Sequence, residues 1–180
     1  MDESGSTRDE PFERSPAGPS GVAGCVDLLD PGRALAPADL RWLHDMAAAA
    51  AAHLRLPPGS EVRVRIVRDA EMAEAHERYK GVPGTTDVLT FDLSSPGGPL
   101  DADLLICSDE AARQAAPRGI PVAQELLLYI VHGMLHCLGY DDVTPDGAAA
   151  MHAREDEVLE AIGVGATYAA PAAAEGEVPA

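Results

Sequence analysis

Residues 121–142 read PVAQELLLYIVHGMLHCLGYDD. Over 121–138 the segment is apolar on nearly every face, so as a helix it must be largely buried, at the centre of the fold. His132 and His136 interrupt it four residues apart. Positions i and i+4 stack on one helical face, so the two imidazoles can turn toward a common ion. Buried as they would be, they require polar partners or a metal. Gly139 can take the left-handed conformation that closes a helix and turns the chain back. Three residues of about 3.5 Å each then suffice to return Asp142 to the histidines. Asp141, its neighbour in an extended segment, faces the other way.

Two helical histidines, a glycine turn and a ligand beyond it resemble the zincin arrangement. Hydrogen-bonded core histidines with turn-capping aspartates are the competing reading of the same residues. Metalloproteases of the His-Glu-x-x-His type use the glutamate as general base. Here position 133 is glycine, so peptidase chemistry of that type lacks its base. A metal with an open coordination position can still polarise a phosphoryl oxygen. Phosphodiester cleavage therefore suits the pattern better than peptide cleavage.

Working outward, residues 22–30 read as a strand and 37–54 as a helix with Leu40, Leu43, Ala47, Ala50 and Leu54 along one face. EVRVRIV (61–67) alternates, with Val62, Val64 and Ile66 inward and Arg63 and Arg65 outward. A helix over 69–80 is expected to open on an Asp69 cap, strands follow at 86–93 and 102–108, and a short helix at 108–116 has Ser108 or Asp109 as cap. A last helix starts at Thr144-Pro145, a cap followed by proline, and ends at Gly163. The pattern predicts an α+β domain: a small mixed sheet of about four strands covered by about five helices, with a zincin-like metal helix among them.

The chain has 180 residues, enough for one domain with a sizeable core. The domain is expected over 21–165. Residues 1–20 and the Ala/Pro-rich 166–180 lack the apolar pattern that would offset their ordering, and are expected to be disordered tails. No apolar run approaches the roughly 20 residues that span a bilayer, and the acidic N-terminus lacks the apolar stretch of a secretory signal. A cytoplasmic protein without membrane association is the expectation. Cys25, Cys107 and Cys137 are widely spaced in apolar segments and read as free thiols. The net charge of −17 excludes general electrostatic attraction to nucleic acid, so any RNA contact must come from a local basic patch or a metal ion.

Two blocks of sequence carry a resemblance. HGMLHCLGYDD (132–142) resembles the signature of the YbeY-type endoribonucleases, bacterial rRNA-maturation factors, roughly His-Gly-x-Leu-His-Leu-x-Gly-Tyr-Asp-His. HERYKGVPGTTDVLTF (76–91) is similar to that family's Asn-x-x-Tyr-Arg … Pro-Thr-Asp-Val-Leu-Ser-Phe. DADLLICSDEA fits the family's strand-then-helix segment, Met151 and Glu155 fit the helix after the metal motif, and the blocks run in the same order over about residues 22–163.

The resemblance implies a single-strand-specific, metal-dependent endoribonuclease with one zinc ion on three histidines. It also implies a role in maturation of the 16S rRNA 3′ end and in ribosome quality control, with single-stranded rRNA and the small ribosomal subunit as partners. His132 and His136 match the first two ligands, and Asp142 stands where the third histidine is usual. Lys80 stands where the family has its catalytic arginine, His76 where it has asparagine and Thr85 where it has proline. Aspartate is a competent zinc ligand. Lysine keeps the charge of arginine but loses its planar, two-pronged grip on phosphate. The expected site is therefore a metal on His132, His136 and Asp142 with Lys80 stabilising charge on the scissile phosphate. A non-catalytic ribosome-binding factor and a metal hydrolase of smaller substrates are the alternatives, and oligomeric state is left open.

Overall fold

The computed structural model describes residues 25–167. Residues 1–20, one of the expected tails, lie outside that range, as does most of the other. Nine elements follow one another: β1 Cys25–Leu29, α1 Pro37–His53, β2 Glu61–Val67, α2 Asp69–Lys80, β3 Val88–Asp92, β4 Asp101–Cys107, α3 Ser108–Arg118, α4 Val122–Cys137 and α5 Pro145–Ala161. The strands form one sheet in the order β1-β2-β4-β3, with β1, β2 and β4 parallel and β3 antiparallel on β4. This is the small mixed α+β sheet expected from the sequence.

Strand alternation sorts the side chains into two layers. Val62, Val64, Ile66, Leu104 and Ile106 face a core shared with Leu43, Ala47 and Ala50 of α1, with α4, and with Met151, Val158 and Leu159 of α5. Val67, Leu105 and Cys107 face the other way, toward Met72 and Ala75 of α2 and Leu89 of β3. On that second face Arg63 is bound by Asp101 and Asp103, and Arg65 by Glu71. The two arginines are therefore neutralised locally.

Helix α4 is the central element, and it is buried along almost its whole length. It lies close on the sheet because position 133 has no side chain: a Cβ there would sit 2.7 Å from Leu104 Cδ2 and 3.1 Å from Thr90 Oγ1. No single described helix is long and apolar enough to cross a membrane.

Two expected caps are redistributed. Asp69 is the first residue of α2 rather than its cap, and Asp109 of α3 does the capping, accepting from the Asp69 backbone N–H at 3.0 Å. Asp69 in turn holds Arg113 of α3 through two hydrogen bonds of 2.7 Å. Ser108 donates across to the Val67 carbonyl at 3.0 Å. The two helix starts thus cap and clamp each other, a long-range exchange that local spacing does not encode. Thr144 does cap α5 as expected, accepting from the Gly147 N–H at 3.1 Å.

Candidate metal centre

The last turn of α4 ends as a glycine-closed helix should. Gly139 has φ +92°, its N–H reaches the His136 carbonyl, and the Tyr140 N–H reaches the Leu135 carbonyl. These are the two bonds of the Schellman closure. The closure brings the Tyr140 carbonyl to 3.1 Å from His136 Nδ1, so the turn that stops the helix also fixes a histidine. Asp141 then bends aside, its carboxylate accepting from the Val143 N–H at 3.0 Å. Asp142 comes back toward the helix. Gly147 makes room for this return, since a Cβ there would lie 2.4 Å from the Asp141 carbonyl oxygen.

His132, His136 and Asp142 each place one donor atom within 4.8 Å of the other two. The two Nε2 atoms are 2.9 Å apart. Asp142 Oδ2 is 3.8 Å from His132 Nε2, and Oδ1 is 3.9 Å from His136 Nε2. The Nδ1 atoms point away from this cluster to acceptors: His132 to Glu155 Oε1 at 2.7 Å, His136 to the Tyr140 carbonyl. Each acceptor requires the proton on Nδ1, which leaves an Nε2 lone pair on each ring directed into the cluster. Two lone pairs facing each other repel unless a cation lies between them. The donor set fits a metal.

Glu155 is fully buried on α5, and its second oxygen, Oε2, has no hydrogen-bond partner. Such a carboxylate needs a compensating positive charge. Burial works against the charged form of His132, but the hydrogen bond and charge of Glu155 outweigh it and hold the imidazole above its ordinary pKa. His132 and this buried carboxylate thus form an imidazole–carboxylate pair of the kind that orients metal-bound histidines. Sequence reading placed Glu155 in the right helix without giving it this role. Its spacing four residues after Met151 marked an inward face of α5, but not what that face meets.

The cluster opens into a cleft of about 1150 Å³. Lys80, the last residue of α2, lies on its wall, exposed and without a salt bridge or hydrogen bond among the described residues. The 81–87 loop beside it is held by His76, whose Nδ1 contacts the Gly84 carbonyl at 2.9 Å, and by Asp87, which accepts from the Thr86 hydroxyl at 2.9 Å and the Val88 N–H at 2.8 Å. Cys137 also lines the cleft, but burial pushes its thiol up to about 12, which removes it as a nucleophile. His44 is half exposed and His53 approaches Glu157 at 4.0 Å, both away from the cluster. His152 lines the cleft without joining the three ligating atoms.

Missing from the sequence reading are Glu125 and Tyr129, also on the cleft wall. A signal for them existed. With His132 and His136 they stand at i, i+4, i+7 and i+11 of an otherwise apolar helix, which is one face.

The family described as Endoribonuclease YbeY matches residues 35–163. A protein named Endoribonuclease YbeY from Mycolicibacterium vanbaalenii is 40% identical over 114 residues, which cover 57% of this chain and 62% of that protein. One of the same name from Mycobacterium tuberculosis is 38% identical over 120 residues, covering 61% and 68%. The match thus spans a little under two thirds of the length of the first relative. In fold, the chain is similar to the solution structure of TM1509 from Thermotoga maritima, with a TM-score of 0.51 at 22% identity, over 76% of this chain and 91% of that one. With a family match over most of the chain, this protein belongs to the YbeY endoribonuclease family.

Proposed function

We propose that this chain is a metal-dependent endoribonuclease that cuts single-stranded RNA, with zinc held by His132, His136 and Asp142. The observation that carries the reading is the convergence of two imidazole Nε2 atoms and a carboxylate on one open cleft. It is supported by relatives named as endoribonucleases. Three protein ligands with room for a fourth is the composition of a catalytic rather than a structural zinc site. When bound, the ion supplies positive charge to a phosphoryl oxygen and lowers the pKa of a water.

The chain's own residues do the positioning. Glu155 and the Tyr140 carbonyl lock the histidine tautomers, and Lys80 supplies a cation to the phosphate as charge develops on it. The charge balance makes the metal necessary for binding as well. Among the described residues, the cleft is lined by Asp87, Asp92, Glu110, Glu125 and Asp142 against only Lys80 and Arg118 as permanent cations. A polyanion enters such a cleft on the metal's charge.

In the cell this activity would serve maturation of the 16S rRNA 3′ end and ribosome quality control, on the small ribosomal subunit in the cytoplasm. The test is incubation of the full chain with single-stranded rRNA fragments, with and without chelator. Cleavage that chelator abolishes and zinc restores is the expected result. Co-sedimentation with small ribosomal subunits without any cleavage would instead establish a binding factor.

A further inference from the structure

The polar row on α4 is longer than a metal site needs. His132 and His136 are accounted for, but Glu125 and Tyr129 lie between about 5 and 10 Å further up the helix axis, on the same cleft. Both are buried: Glu125 is 3% exposed and Tyr129 4%. Arg118 of α3 holds one oxygen of Glu125 and is itself anchored by an Nε–H bond to the Gln114 carbonyl at 3.0 Å. The Tyr129 hydroxyl lies beside the Glu125 carboxylate, yet makes no hydrogen bond of good geometry to it or to any other described group. A buried hydroxyl left unpaired lowers stability, and phenylalanine would fill the same space without that loss. On the cleft wall, this hydroxyl is placed to take a better-aligned partner from the cleft.

That partner is not a phosphate. Burial, then the charges of Glu125, Asp87 and Glu110, keep the Tyr129 phenol protonated, and the same three carboxylates would repel an anion beside it. A nucleobase is neutral and carries both donors and acceptors on one edge. A carboxylate accepts from a ring N–H, while a phenol and a guanidinium donate to carbonyl oxygens. Uracil and guanine present a ring N–H beside carbonyl oxygen. Cytosine and adenine present a bare ring nitrogen at the equivalent place, which a carboxylate repels.

We propose that Arg118, Glu125 and Tyr129 form a base-reading subsite of the cleft that favours uracil and guanine over cytosine and adenine near the scissile bond. The inference rests on the reading of the cleft as an RNA site. The experiment measures binding of short single-stranded oligouridylate and oligocytidylate, 2′-O-methylated to suppress cleavage, to the metal-loaded full chain. The parent should bind the uridylate roughly three- to tenfold more tightly, the worth of a hydrogen bond or so. Tyr129→Phe should fold at least as stably and bring that ratio toward one. Glu125→Gln should reduce it as well. Equal affinity of the parent for the two oligomers, or an unchanged ratio in Tyr129→Phe, overturns the subsite. Cleavage of unmodified RNA is read separately. Cutting without base preference removes the subsite and leaves the nuclease. Preference without cutting does the reverse. Failure to bind either oligomer overturns both.

Discussion

His132 Nδ1 lies 2.7 Å from Oε1 of Glu155, a carboxylate with no exposure to solvent on a different helix. That contact ties the fifth helix to the chemistry of the fourth. It fixes the imidazole tautomer, turns Nε2 into the cluster and gives a buried negative charge its outlet. Glu155→Gln retains an acceptor but removes the charge. Zinc affinity should fall about 10–100-fold, read by competition against a chromophoric chelator, while the variant stays folded. Unchanged affinity would leave Glu155 a structural role only.

Asp142 and Asp141 separate by geometry. Asp142 faces both Nε2 atoms, and Asp141 is spent on the Val143 N–H. Asp142→Ala should lose most zinc affinity, Asp142→His should keep it, and Asp141→Ala should change it little. Equal zinc binding by Asp142→Ala and the parent would move the third ligand elsewhere, with His152 the next residue to replace.

Gly133 stands where a metalloprotease of the helical type carries its glutamate, and here the position faces the sheet rather than the cleft. Gly133→Ala pushes a methyl into Leu104 and Thr90. Overpacking of that kind costs about 1–3 kcal/mol, offset in part by alanine's better helix propensity, about 1 kcal/mol. Denaturant unfolding should show a net loss. A gain would mean that Leu104 gives way freely.

Much of this was legible in the sequence for definite reasons. The buried central helix announced itself by apolarity, β2 by alternation, and the helix stop by Gly139, because each signal is local. The return of Asp142 could be read because a glycine closure leaves few paths for the next three residues. What stayed hidden was set by contacts between distant segments. Glu155 meets His132 across 23 residues, Asp109 caps α2 across 40, and Arg63 finds Asp101 and Asp103 on a neighbouring strand. No periodicity encodes such pairings. Glu125 and Tyr129 are a different case, legible by spacing but masked by the apolar residues around them.

The α2–α3 clamp predicts acid sensitivity. Hydrogen bonding from Arg113 is the main cause holding the Asp69 carboxyl down at about 2, from an ordinary 3.8. Asp109 is lowered mainly by the Asp69 N–H, and Glu110 mainly by Gln114. A carboxyl with a depressed folded pKa stabilises the fold above its unfolded value, and that contribution is lost as pH falls through the folded one. For Asp69 the window is therefore about pH 4 down to 2. The pair is half exposed, so the effect is modest. Melting temperature should fall through that window, and Asp69→Asn should flatten the slope. An identical slope in parent and variant would place the acid-sensitive step elsewhere.

Lys80 has no partner to lose among the described residues, so Lys80→Ala should leave the melting temperature nearly unchanged. RNA cleavage should nevertheless drop by about tenfold or more, as expected when a group that stabilises developing charge is removed. Full activity in the variant would take Lys80 out of the mechanism.

The most direct test of the whole account is the metal content of the freshly purified full chain beside that of His136→Ala. The parent should carry close to one zinc ion per chain, and the variant, folded by circular dichroism, should carry almost none. A folded parent that neither holds zinc nor takes it up when it is supplied would contradict the account, as would a variant that binds zinc as the parent does.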